Sequence, residues 1–471
     1  MFKTKSKQLH KPVLAGGNGN FRPVYSIVVL AWPLVIEMSL HTFVWIFDTA
    51  MVMRLGAHEA SAVEYGALVL FNSMMILGAL GIGANALVAR YTGAQDMEKA
   101  AQTGGQAIAV SLLIVAVYAA VGALFGDIFF ASIIRDTTTL ALTQEYFKNA
   151  LFSGGFALLP LLVCSGVIRG TGNTRVPMII ALIANTYNVI GDYLLIFGHF
   201  GFPELGVRGA ALATGSAQLI ALTLSLGYLF IHRGSLPFSF KSLYPLRRVV
   251  IKKIFNFSIP AGAEELTLSG SRMISASWIT MLGPVAFAAN AAAIAAEALS
   301  FMPGYALALA ATTLVAQRLG AGFIEQARST GYWAVFLGVL LMSTVGMIFL
   351  FLPYAVMSLF DPPDPEVVRL GVLCLQIAGI TQPFIALSMI FSGALKGTGD
   401  TKGPFRISLY SNLFVRLPLM YIFVFILQLE VYYIWWVMAL QYAVSALLLF
   451  VRYKKKKWDD LDVLPTTENV G

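Results

Sequence analysis

The sequence predicts an all-α integral membrane protein in which twelve transmembrane helices form two pseudo-symmetric six-helix bundles. Three observations carry that prediction. Of the 471 residues, 58% are hydrophobic and only 12% charged, about half the charged share of roughly 25% in soluble domains; so few charges cannot cover a water-exposed surface. Apolar runs of about 20 residues, the length that crosses a bilayer as a helix, recur along the whole chain. The second half then repeats the first without a gap. A soluble enzyme, a DNA-binding domain, a disulfide scaffold and a disordered chain are excluded as readings of the whole. Cys164 and Cys374 lie in apolar stretches, too few for a disulfide framework or a metal cluster.

The runs fall within 24–53, 65–89, 105–130, 140–168, 176–199, 207–231, 249–281, 286–316, 331–358, 367–395, 405–428 and 431–451. They are continuous rather than alternating, which selects helices over barrel strands. The 42 glycines, and prolines inside spans at Pro33 and Pro260, suit close-packed and kinked membrane helices. The basic start MFKTKSKQLHKP precedes a run too long for a cleavable signal. With the N-terminus placed in the cytoplasm, 25 of the 32 Lys and Arg residues fall on the inner side and four on the outer. That asymmetry predicts a multi-pass protein of the cell membrane with both termini cytoplasmic. It also makes the net charge of +8 a topology and lipid-headgroup signal, with no nucleic-acid partner implied. The expected organisation is a tail (1–23), a six-helix bundle (24–232), a cytoplasmic linker (233–248), a second bundle (249–452) and a tail (453–471).

One offset of 227 residues superimposes the halves. Pro33 falls on Pro260, Glu37 on Glu264, and Leu55-Gly56 on Leu282-Gly283. Residues 87–104 and 314–331 share nine of eighteen positions, and SGVIRGTGNTRVP (165–177) shares seven of thirteen with SGALKGTGDTKGP (392–404). Both copies start on the same side, so the repeats are parallel, an arrangement that places a substrate path between halves that rock. The Gly-Thr-Gly blocks lack the spacing and βαβ setting of a phosphate loop. They read as helix–helix turns, with Asn173 or Asp400 capping the next helix and the adjacent Arg or Lys meeting headgroups.

These features resemble the multidrug and toxic compound extrusion (MATE) family of cation-coupled exporters, bacterial and archaeal type. The resemblance rests on two sixes of spans, the doubled RGTGNT and KGTGDT turns, LVARYTGAQ with LVAQRLGAG, and FDTAMV late in the first span. It covers roughly residues 24–452.

Ionisable residues deep in a span are costly and mark function by default. In the first span Glu37, His41 and Asp48 fall on one helical stripe, with Asp48 about 10 Å along the axis from His41. In the fifth, Asn185, Asn188 and Asp192 share a face at i, i+3 and i+7. Carboxylates and amide oxygens converging from two helices suit a proton relay or a dehydrated sodium ion; the plainer reading is interhelical hydrogen-bond glue. The repeat favours function. At the same offset Asp48 becomes Ser275, Asn188 becomes Val415, Asp192 becomes Leu419 and His41 becomes Leu268, while Glu37 keeps its acid. The resemblance implies the same set: Asp48 after the kinking Pro33, Asn188 with Asp192, and Thr214 in the sixth span; Asp48, Asn188 and Asp192 would be the ligands of Na+ were that the coupling ion. A branch of the family with a Glu and an Asp in its C-terminal half is not matched here, which leaves Glu264 and Glu265 as secondary candidates for a substrate cavity with Tyr187. Glu265 and Arg272 share a face and can balance each other; Glu297 and Arg416 read as structural or cavity residues.

The expected function is antiport: export of cationic or amphipathic organic compounds against H+ or Na+, with no cofactor, from a monomer whose partners are small organic cations and membrane lipids. A flippase of the same broad superfamily would line its cavity with bases, whereas only Arg272 and Arg416 lie deep against six acids. A membrane enzyme would need a catalytic constellation that the single intramembrane histidine does not supply.

Overall fold

Each long apolar run becomes a helix, and the breaks fall where glycine, proline or a capping carboxylate sits. The computed structural model describes residues 22–231, 236–360 and 364–458; most of both expected tails lies outside them. In order come α1 (Pro23–Met53), α2 (Ala57–Gly93), α3 (Met97–Ile133), α4 (Thr137–Ser153), α5 (Leu158–Gly170), α6 (Arg175–Phe197), α7 (Val207–Ile231), a short α8 (Phe240–Leu243), α9 (Arg248–Thr280), α10 (Pro284–Gly320), α11 (Ile324–Phe351), a short α12 (Pro353–Ser358), α13 (Pro365–Gly397), α14 (Lys402–Tyr410), α15 (Leu417–Tyr421) and α16 (Val431–Lys454). Among the described residues there is no strand.

Among the described residues, ten helical segments are long and apolar enough to span a bilayer, taking Lys402–Ile426 as one, and the pair α4–α5, bent by 58°, makes an eleventh. The twelfth expected span is α9. Its 33 residues have the length, but Lys252, Lys253, Glu264, Glu265 and Arg272 dilute its apolarity. Ring-sized side chains such as Phe125 and Phe414 stay exposed on the outer faces, as lipid-facing positions do.

The repeat reappears in the turns. Gly56 and Gly283 precede α2 and α10 at φ of 143° and 101°, and Gly172 and Gly399 close the Gly-Thr-Gly turns at 88° and 91°. Only glycine takes these angles without strain, which explains why the four survive in both copies. Asn173 Oδ1 accepts from the Val176 amide at 3.3 Å and Asp400 Oδ1 from the Gly403 amide at 2.9 Å, the capping that the turns suggested.

The breaks have local causes. Gly154, at φ 145°, separates α4 from α5, and its Cα lies against the Gly215 backbone of α7. In the eleventh span the wide π-helical turns Ser411–Arg416 and Ile422–Ile426 flank Pro418, whose ring and missing N–H disturb the regular ladder.

The chain divides into two compact units. One is Ile36–Ile259; the other, among described residues, joins 22–35 to 260–458. The division therefore passes through α1 just after Val35 and through α9 just after Ile259. The core of the first unit includes Val52, Leu70, Phe130, Tyr146, Phe147 and Ile196. In the second, Ile27, Leu30 and Leu34 pack in one cluster with Leu314, Leu319, Phe391 and Tyr453.

In the first unit the linker is strapped down. Gln106 of α3 donates its amide to the carbonyls of Ser242, Leu243 and Pro245 at 3.3, 3.1 and 3.0 Å, and its Oε1 accepts from the Arg247 amide at 2.7 Å.

At the Gly-Thr-Gly turn of the second unit, Asp400 accepts from Arg452 Nε at 2.7 Å and Nη2 at 3.1 Å. Burial pushes this carboxyl up, but Arg452, Lys456 and the Gly403 amide outweigh it and hold the group below its ordinary value. A depressed folded value contributes stability that is present above the unfolded pKa of about 3.9 and is lost as pH falls through the folded one. Thermal unfolding followed from pH 7 to 3 is therefore expected to show an acid-side loss that is smaller in Asp400→Asn.

Candidate functional site

Four helices of the first unit converge on a carboxyl pair. On α6, Asn188 and Asp192 stand one turn apart, and the Asn188 amide donates to Asp192 Oδ2 at 3.3 Å. Asp192 is 1% exposed. Asp48, eleven residues past Glu37 on α1, reaches the same place, its carboxyl near enough to that of Asp192 for the two to interact. Two like charges so close cannot both persist out of water without a proton or a cation between them. The remaining Oδ1 atoms of Asp48 and Asp192, and the Asn185 amide nitrogen, are buried without a protein partner. Unsatisfied oxygens of this kind, beside an amide, form a donor set that fits a proton or a small hard cation.

Tyr146 of α4 closes the other side. It is buried and within electrostatic reach of both Asp48 and Asp192, with Thr214 of α7 close by. The ring is backed by Gly66 of α2, where a Cβ would stand 2.5 Å from its Cδ1. Gly66→Ala is expected to displace Tyr146 and lower transport by about tenfold while the protein still folds, a loss of about 1.4 kcal/mol; initial efflux rates beside melting temperature check this.

The residues of the Glu37, His41 and Asp48 stripe do not share one partner. Glu37, 4% exposed, forms a buried ion pair with Arg169 at the end of α5. His41, one turn further on, is exposed and feels Glu37 and Arg169 electrostatically. Arg169 is itself only 9% exposed, so the expectation that it meets headgroups is corrected: a buried acid within reach holds it inside.

The secondary candidates also have partners. Glu264 accepts from Ser392 at 2.9 Å and faces Lys396 Nζ at 3.0 Å. Lys396 is likewise drawn inward rather than to headgroups. Glu265 meets Arg272 at 3.3 Å, the charge balance that the spacing allowed. Tyr187 is exposed on α6. Pro33 and Pro260 lie inside α1 and α9, which continue as helix through both. Glu297 accepts from Gln382 at 3.4 Å, and buried Arg416 donates to Ser275 at 3.1 Å.

Sequence reasoning missed Tyr146, Arg169 and Lys396. An aromatic in a span carries no distinguishing signal. For the two bases a signal existed: the offset that equates Glu37 with Glu264 also equates Arg169 with Lys396, so an acid and a base persist together.

Comparison with known proteins fits this architecture. A model of the MatE family matches twice, at residues 33–194 and 260–422, each match opening on the proline that begins the repeat. The chain is 29% identical over 446 residues to a probable multidrug resistance protein NorM of Thermotoga maritima, covering 94% of this chain and 95% of that one. It is 26% identical over 401 residues to the multidrug resistance protein MdtK of Yersinia pestis, covering 83% and 86%. Among solved structures, an outward-facing multidrug resistance MATE family transporter of the MOP superfamily aligns with a TM-score of 0.86 at 22% identity, covering 92% of this chain and 96% of that one. The family and these relatives are transporters rather than enzymes. With both repeats matched over more than half of its length, the chain belongs to the MatE family of membrane transporters.

Proposed function

We propose that the protein is a secondary antiporter that exports cationic or amphipathic organic compounds across the cell membrane in exchange for inward H+ or Na+. The observation that carries this reading is the Asp48–Asp192 pair, brought together in the membrane-spanning part of one unit with an oxygen of each buried and without a protein partner. The names of the NorM and MdtK relatives support multidrug export. Burial favours the neutral form of a carboxyl group and a bound cation alike. Asp48 and Asp192 therefore exchange one positive charge with the medium as the site opens to either side. Loading from outside repacks α1 and weakens the drug site; release inside restores it. Asn188 orients Asp192, and the Tyr146–Thr214 contact fixes the wall against which the acids close. The protein works as a monomer with both termini cytoplasmic, and needs no cofactor.

The test is efflux of a fluorescent organic cation from proteoliposomes under imposed pH or sodium gradients, with Asp48→Asn beside the wild type. Loss of efflux under the driving gradient is expected. Wild-type rates for Asp48→Asn under both gradients would remove the coupling assignment.

A further inference from the structure

The ion pairs Glu37–Arg169 and Glu264–Lys396 are the same construction made twice. Each acid lies four residues past the proline of its helix, Pro33 or Pro260. Each base precedes the Gly-Thr-Gly turn of its own half, 132 residues beyond its acid in both copies. Both acids are buried, and both bases are largely covered. The boundary between compact units crosses α1 after Val35 and α9 after Ile259, two residues before Glu37 and five before Glu264. Each pair thus ties a helix to α5 or α13 just beyond the point where that helix enters a new unit.

The symmetry matters because the coupling carboxyls lack it. Asp48 is opposite Ser275 and Asp192 opposite Leu419. A feature kept in both halves serves a task common to both, and taking up the coupling ion is not one. Occupancy argues the same way. The Glu264 oxygens are engaged by Ser392 and Lys396, so an organic cation would have to displace an internal ammonium. Glu37 already holds a guanidinium. In a low-dielectric interior a paired acid and base resist separation far more strongly than in water, and such pairs fix registry.

We propose that Glu37–Arg169 and Glu264–Lys396 are matched positioning anchors, which make α1 and α9 move with the units they enter and so keep ion and drug movements linked; neither acid binds the coupling ion or the substrate. The proposal rests on the antiport reading above.

The experiment compares Glu37→Gln/Arg169→Gln with Glu264→Gln/Lys396→Gln, each of which leaves no buried charge alone. Proteoliposomes are assayed with ethidium under pH and sodium gradients, melting temperature serves as the folding control, and carbodiimide labelling of the Asp48–Asp192 site, with its protection by the coupling ion, reports ion binding. Both double variants are expected to fold, keep the pH midpoint of labelling and the KM for ethidium, and lose maximal efflux rate by about tenfold to a similar extent. Arg169→Lys and Lys396→Arg should retain the rate. Glu37→Asp and Glu264→Asp, which keep the charge but shorten its reach, should show matched losses even if a double variant fails to fold. A raised KM confined to the Glu264 pair would make it a substrate site. A moved pH midpoint confined to the Glu37 pair would make it an ion site. Wild-type rates in the Asp variants would leave the pairs as stabilisers only, and each of these results overturns the proposal. A failure of antiport itself shows separately, as undiminished efflux in Asp48→Asn.

Discussion

Asp192→Asn is expected to lower efflux about 100-fold under either gradient, equivalent to about 2.7 kcal/mol. The substitution preserves the side chain's shape and supplies an amide that can donate to Asp48, so the four-helix contact persists. What disappears is the second titratable oxygen. Asn188 loses its charged acceptor, and a proton or sodium ion meets one carboxylate instead of two. Asp192→Glu keeps the charge but shifts it by one methylene from its place beside Asp48 and Asn188, and an intermediate rate is expected. Initial rates in proteoliposomes, at matched melting temperature, decide the matter; rates within about threefold of wild type would mean that Asp192 only packs α6.

Arg169→Gln is expected to cause the largest loss of stability of any single substitution named here. It leaves Glu37 buried and uncompensated, at a cost of about 3–5 kcal/mol. Adding Glu37→Gln should recover most of that loss, because the burden is the orphaned charge and not the missing attraction. Lys396→Gln should cost less, since Glu264 keeps the Ser392 hydroxyl at 2.9 Å. Thermal unfolding in detergent gives the comparison. A melting temperature for Arg169→Gln equal to the wild type would show that water already reaches Glu37.

The apolar runs announced the spans because bilayer crossing is a property of sequence length and hydropathy, which a chain displays openly. Span seven was read as an apolar run like the others, but α9, though long enough, is less apolar than they are because it carries charges that pair inside the protein. The convergence of Asp48 with Asp192 was also legible, through two helical faces and through the failure of the second half to copy them. The Glu37 stripe misled, because a shared helical face does not mean a shared partner: α1 presents Glu37 to α5 and Asp48 to α6. Arg169 misled in another way. A base beside a turn reads as interfacial, and only packing shows that it points inward. Neither the bend at Gly154 nor the π-turns around Pro418 could be placed, since glycine and proline permit such breaks without requiring them.

The strap held by Gln106 lies within the longest acid-free reach of the chain, for no Asp or Glu occurs between Glu204 and Glu264, while Lys241, Arg247, Arg248, Lys252 and Lys253 gather there. By the positive-inside rule, that concentration of basic residues is expected to retain the midpoint of the polypeptide on the cytoplasmic side during biosynthesis. Each half would then enter the lipid with its own retention signal. Two separately translated fragments, cut within this reach, should insert with the same polarity as the intact chain.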